Sequence, residues 1–163
     1  MAKRTRGDGG TPATVALTAA GIAFTTHPYA HDHAAASYGR EAADALGVEP
    51  GRVFKTLLVE AEKGLAVGIV PVDRQLDLKA LATALGVKRV QMADPVMAER
   101  VTGYVVGGIS PIGQKRRLPT VLDDSVEAYE TVLVSGGRRG FDIELRPADL
   151  LTATGATYAP IAR

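Results

Sequence analysis

The sequence predicts a single domain of mixed α/β (α+β) type, with a strongly curved, barrel-like mixed β-sheet at its core and helices flanking it. Three observations lead there. Apolar runs of strand length outnumber the helical segments, no regular strand–helix–strand alternation appears, and most helical segments carry their own start and stop residues. At 163 residues and 46% hydrophobic content the chain can bury one substantial core, which small aliphatic side chains must fill because aromatics make up only 5%.

Residues 1–10 are basic, Gly-rich and without apolar anchors, so they are expected to form a disordered tail ahead of a domain spanning 11–163. Thr11-Pro12 supplies an N-cap and a first-turn proline for a helix over 12–20, and Gly21 stops it. A strand is expected over 22–29. Ser37 can cap a helix over 38–46, with Glu41 early in it and Gly47 closing it. Pro50-Gly51 then punctuates the start of a core strand over 52–59, and residues 60–64 read as a hairpin connection to a second buried strand over 65–72. Asp77 caps a helix over 78–85 that Gly86 ends, residues 87–92 give a short strand, and Asp94-Pro95 opens a helix through about residue 101. Residues 104–113 read as an apolar strand running into the pair Gly107-Gly108. Further strands are expected over 120–122, 131–135 and 141–145, then a helix from Pro147 to 153 and a last strand over 157–159.

Charge is nearly balanced, with 19 Lys plus Arg against 18 Asp plus Glu, so any RNA contact must come from local clusters. Two stand beside glycine-rich stretches: Lys115-Arg116-Arg117, and Arg138-Arg139 after Ser135-Gly136-Gly137. Such clusters suit phosphate contact, although basic runs are more often solvated surface. The lack of Cys excludes disulfides, cysteine nucleophiles and thiolate metal sites. No apolar run is long enough to span a bilayer and no signal-peptide pattern follows Met1, so a cytoplasmic protein with neither a membrane nor a DNA partner is expected.

Lys55 is the chemical anomaly. By alternation it shares a strand face with Val53, Leu57 and Val59, so its stem is packed and its ammonium either reaches a cavity or is partly desolvated. A lysine so held offers a cation to a carbonyl or phosphate, and a base once neutral. The plain alternative is a snorkelling edge-strand lysine that blocks aggregation. Gly107-Gly108 likewise allows either a ligand to approach backbone N–H groups or a simple β-bulge. Tyr29 can be a core ring with a wet hydroxyl or a substrate contact.

All three histidines fall in 27–33, which invites a metal hypothesis. The spacing fits no helical zinc pair, the stretch holds Pro28, and nothing downstream supplies a fourth ligand, so neither metal nor other cofactor is expected. No Walker loop, dinucleotide fingerprint or nucleophile elbow is present.

Read together, Thr11-Pro12-Ala13, His31-Asp32, Val53-Phe54-Lys55-Thr56-Leu57, Thr102-Gly103-Tyr104, the segment 107–115 (GGISPIGQK), and Ser135-Gly136-Gly137 with Arg139-Gly140 resemble the YbaK family of Cys-tRNA(Pro)/Cys-tRNA(Cys) deacylases. The likeness runs over nearly the whole chain after the tail. It implies the fold of the editing domains related to prolyl-tRNA synthetase, and an enzyme that removes cysteine from mischarged tRNA(Pro). Its implied partners are the tRNA(Pro) acceptor end and prolyl-tRNA synthetase. The family's essential lysine falls on Lys55, with Gly107 and Gly108 beside it. Substrate-pocket positions fall on Tyr29, Tyr38, Ser135 and Asp142, and Lys115, Arg116, Arg117, Arg138 and Arg139 would meet the acceptor stem. Members of the family look as if they let the substrate's own thiol attack its ester, which suits a chain without Cys. Related domains clear alanine instead, and a non-catalytic tRNA-binding module is the remaining alternative.

Overall fold

A computed structural model of the chain describes residues 10–31 and 38–163. The tail expected over 1–10, apart from Gly10, lies outside the described residues, as do the Ser37 cap, Asp32 and His33. Thr11 caps α1 (Pro12–Ala19), its hydroxyl accepting from the Thr14 N–H, and the helix seats Ala13 and Leu17 in the core. β1 (Thr25–Pro28) leads to α2 (Tyr38–Leu46), whose Ala42 and Ala43 are buried. A 3₁₀ turn at Pro50–Arg52 feeds β2 (Phe54–Ala61), which pairs antiparallel with β3 (Gly64–Pro71).

Asp77 caps α3 (Leu78–Leu85) through its carboxylate, and Gly86 closes it in the left-handed conformation at φ 73°. β4 (Gln91–Met92) and α4 (Pro95–Thr102) follow. The chain then enters a long irregular segment before β5 (Thr120–Asp123), β6 (Val132–Arg138), β7 (Phe141–Leu145), α5 (Pro147–Thr154) and β8 (Thr157–Ala159).

The strands form two sheets. One runs β1-β7-β6, all antiparallel; the other runs β4-β2-β3-β5-β8, with parallel pairing on both sides of β5. A single parallel bridge between Val53 and Leu133 joins them. The mixed α/β fold with flanking helices is as expected from sequence; the described strands divide into two sheets and close no barrel. Phe54, Ile69, Leu122, Val134, Ile143 and Leu150 fill the main core. Arg52 ties the start of β2 to the other sheet by donating to the Glu144 carboxylate and the Thr131 hydroxyl, and His27 reaches Glu144 from β1 at 2.7 Å.

A correction concerns residues 104–113, which form no strand. They are nevertheless apolar and largely buried, with Tyr104, Ser110 and Ile112 inside. Side chains take the place of a strand partner. Thr102 and Ser110 hydroxyls accept from the N–H groups of Tyr104 and Ile112, the Tyr104 hydroxyl donates to the Ile112 carbonyl, and Gln114 donates to that of Ser110. The strands expected over 22–29 and 87–92 are also shorter than their apolar runs, because pairing covers only 25–28 and 91–92.

Candidate active site

The gap between the two sheets is where the site lies. Odd-numbered residues of β2 turn their backbone groups toward β3, as the 2.8 Å bond from the Val72 N–H to the Val53 carbonyl and the pairing of Lys55 with Val70 establish. Even-numbered residues turn to the opposite edge. There Leu58 is met by the Ala93 N–H at 3.0 Å, and at the other end Val53 bridges to Leu133. Between those points no strand faces Thr56. A cleft of about 380 Å³ opens along this uncovered edge.

Lys55, Gly107, Tyr29, Tyr38, Ser135 and Asp142 all line this cleft. Lys55 has no hydrogen bond or salt bridge among the described residues. Burial lowers its pKa, and Asp73, acting through space, opposes that shift. Asp142 lies directly across from Ser135 in the β6/β7 register, so the two side chains share a sheet face. Its carboxyl is 4% exposed, has no hydrogen-bond partner among the described residues, and is pushed up to about 7 by burial. Ser135 Oγ accepts from the Gly137 N–H at 3.2 Å. Burial, and then the charges of Asp142 and Glu41, raise the Tyr29 pKa, so its hydroxyl stays protonated. Tyr38 forms part of the rim, its ring 5.7 Å from that of His31.

Two residues that the sequence reading did not assign to the site belong here. Thr56 Oγ1 is buried without a hydrogen-bond partner beside the uncovered edge. Its only sequence signal is its place next to Lys55. Glu99, on α4, donates nothing but accepts the Val106 N–H at 2.8 Å, fixing the loop that carries Gly107. Nothing local in the sequence signals that contact.

Gly108 does not line the cleft. Its N–H is already given to the Val105 carbonyl at 2.8 Å, and a Cβ there would lie 2.7 Å from the Arg138 backbone. The glycine pair thus serves close packing of one loop on another as well as access. The β6 ladder shifts register between Ser135 and Arg138, where Gly136 packs under the Phe141 ring.

The basic residues stand outside the cleft lining, and all five are exposed. Arg138 lies over the Phe141 ring at 4.1 Å. Arg139 is held against the loop that carries Gly107: its Nε and a terminal nitrogen donate to the Val106 carbonyl at 2.9 and 2.7 Å, and its guanidinium lies over Tyr38 at 4.8 Å. Arg117 reaches the Ala153 carbonyl at the C-terminal end of α5, where a cation meets the helix dipole favourably. Lys115 and Arg116 extend from the loop after Gly113. The two described histidines each face a glutamate, His27 to Glu144 and His31 to Glu41, and neither lines the cleft.

Among the described residues no histidine lines the cleft, and the chain has no cysteine. What the cleft offers is a cation, a buried acid, hydroxyls and a glycine peptide around a space of about 380 Å³, a set suited to binding and polarising a substrate.

Comparison with known proteins agrees with that chemistry. The sequence profile of the aminoacyl-tRNA editing domain family matches residues 32–153. A protein of Enterococcus faecalis, provisionally named Cys-tRNA(Pro)/Cys-tRNA(Cys) deacylase EbsC, is 42% identical over 82% of this chain and 80% of its own length. The proline–tRNA ligase of Thermoanaerobacter sp. is 28% identical over 64% of this chain, which there spans only 19% of the ligase. Among solved structures, one described provisionally as a trans-editing enzyme for prolyl tRNA synthetase superposes with a TM-score of 0.80 at 29% identity, covering 93% of this chain and 95% of that one.

Proposed function

The chain belongs to the aminoacyl-tRNA editing domain family, and from that premise we propose that it removes cysteine from mischarged Cys-tRNA(Pro), and from Cys-tRNA(Cys), as a deacylase editing in trans the product of prolyl-tRNA synthetase. The observation that carries this reading is the cleft itself. A partly desolvated Lys55 with no bonded partner among the described residues lines the same cleft as a buried Asp142, and no histidine among the described residues joins them.

In this reading the Lys55 ammonium holds the ester carbonyl or the 3′-oxygen of the terminal ribose, and the Gly107 N–H shares the charge that develops on the carbonyl oxygen. The substrate's α-ammonium lies against Asp142, which ionises as the cation arrives, while Tyr29 and Ser135 hydroxyls orient the amino acid. The nucleophile is the substrate's own thiol. Its S–H proton leaves, a sulfur–carbonyl bond forms, the bond from carbonyl carbon to ribose oxygen breaks, and that oxygen takes up a proton. The first product is a cyclic cysteine thiolactone, which water then opens.

Lys55→Ala tests the assignment. It should lower deacylation of Cys-tRNA(Pro) by at least about 100-fold, the scale on which a single charge-stabilising group acts. The melting temperature should hold or rise, because a desolvated charge is removed. Turnover within a few-fold of wild type would remove Lys55 from the chemistry. Faster clearance of Ala-tRNA(Pro) than of Cys-tRNA(Pro) by the wild-type chain would move the specificity to alanine.

A further inference from the structure

Residues Val105 to Gly108 make a tight turn closed by the bond from the Gly108 N–H to the Val105 carbonyl at 2.8 Å, with Gly107 at φ 91° in its third position. That positive φ is the mark of a type II turn, whose central peptide is flipped relative to type I. The central peptide here joins Val106 to Gly107. Its carbonyl is gripped by Arg139 through two donors at 2.9 and 2.7 Å. The peptide before it is gripped too, since the Val106 N–H donates to the Glu99 carboxylate at 2.8 Å.

A trans peptide points its C=O and N–H in opposite directions, and the described residues contain no cis bond. Arg139 is exposed and does not line the cleft, so a carbonyl aimed at its guanidinium aims outward. The Gly107 N–H therefore aims inward. It has no hydrogen-bond partner among the described residues, and Gly107 lines the cleft. Were the peptide to flip, an acceptor would take the place of this donor, and the oxygen of an ester gathering negative charge would meet a carbonyl.

We propose that Arg139 is a positioning residue for deacylation: it holds the Val106–Gly107 peptide in the orientation that presents the Gly107 N–H to the reacting carbonyl, instead of holding tRNA phosphate. Tyr38 completes the arrangement by seating the guanidinium against its ring at 4.8 Å. The position must be glycine for the same reason, since a Cβ at residue 107 would lie 2.7 Å from Arg139 Nε and 3.0 Å from the Tyr38 ring. This inference rests on the deacylase reading above but not on its amino acid.

Its test is the split between binding and chemistry in Arg139→Ala and Arg139→Lys, with Arg138→Ala as the neighbouring control. Single-turnover rates at saturating protein are measured on whichever aminoacyl-tRNA the wild-type chain deacylates, beside the Kd for that tRNA and its salt dependence. Arg139→Ala should lose about 10- to 100-fold in the single-turnover rate, a fraction of what deleting such a donor outright costs. Its Kd and salt slope should stay within a factor of two. Arg139→Lys, which keeps one donor for the Val106 carbonyl, should recover part of the rate. A raised Kd and flatter salt slope with an unchanged saturated rate would make Arg139 a phosphate contact and overturn the proposal. Equal losses in both quantities, or in neither, would overturn it as well. A wild-type chain inactive on every aminoacyl-tRNA would instead overturn the deacylase reading, and this inference with it.

Discussion

Burial moves the titration of the Asp142 carboxyl up to about 7, close to physiological pH, and that cost is measurable. Its pKa rises on folding from an ordinary 3.8 to about 7 because burial disfavours the charge. In that window the native state binds more protons than the unfolded one, so stability falls as pH rises, by up to about 1.4 kcal/mol per pH unit. The effect is complete above the folded value and absent below the unfolded one. Asp142→Asn should therefore flatten the stability profile between pH 4 and 7 and raise the melting temperature most at pH 8, while weakening substrate binding; thermal melts across that range are the check. A profile unchanged by the substitution would mean that the carboxyl is paired. The role of Asp142 was not legible in the sequence alone, where it is one acid in a strand, and only the resemblance drew it into the site. Lys55 stood out as a cation inside an otherwise apolar run, but the run fitted a snorkelling lysine as well, and the resemblance alone drew it into the site.

At the scale of elements, local chemistry wrote the helices clearly and the long loop not at all. Thr11 and Asp77 cap the helices they announce, and Gly86 and Gly103 end theirs with positive φ. Residues 104–113 carry the composition of a strand because they are buried like one. Their backbone bonds go to Thr102, Glu99, Ser110, Gln114, Tyr104 and Arg139, partners that no period in the sequence reveals. The glycine pair in this loop divides its work accordingly. At Gly108 an added Cβ meets the Arg138 backbone at 2.7 Å, which cannot swing away, so Gly108→Ala should cost about 1–3 kcal/mol of stability. At Gly107 the obstruction is the end of a long side chain, so Gly107→Ala should displace Arg139 and lose activity out of proportion to stability. Denaturant unfolding and turnover measured on both variants separate the two; equal effects would contradict the division.

At the scale of the whole molecule, the mixed α/β architecture followed from the count and order of apolar runs, but its division into two sheets did not. A curved single sheet and two sheets both need buried apolar strands, so apolar patterning does not tell them apart. Along the edge of β2, pairing stops at the Val53–Leu133 bridge on one side and the Leu58–Ala93 bond on the other, and the cleft is the interval between. The cleft is thus a consequence of incomplete pairing, and the residues that line it come from β2, β4, α2, α4, the 104–113 loop, β6, β7 and the stretch after β1. Under the proposed substrate-thiol route, discrimination falls to the reactivity of the bound amino acid. The most direct measurement is single-turnover deacylation of Cys-tRNA(Pro) against Ser-tRNA(Pro) at matched occupancy, with the first-formed product identified. Serine fills nearly the volume of cysteine, but its hydroxyl stays un-ionised at neutral pH and attacks poorly without a base. The account predicts that Ser-tRNA(Pro) binds but is cleared more slowly by well over the 10- to 200-fold that pocket fit alone gives, and that cysteine leaves as its thiolactone. Similar rates for the two esters, with free cysteine as the first product, would contradict it.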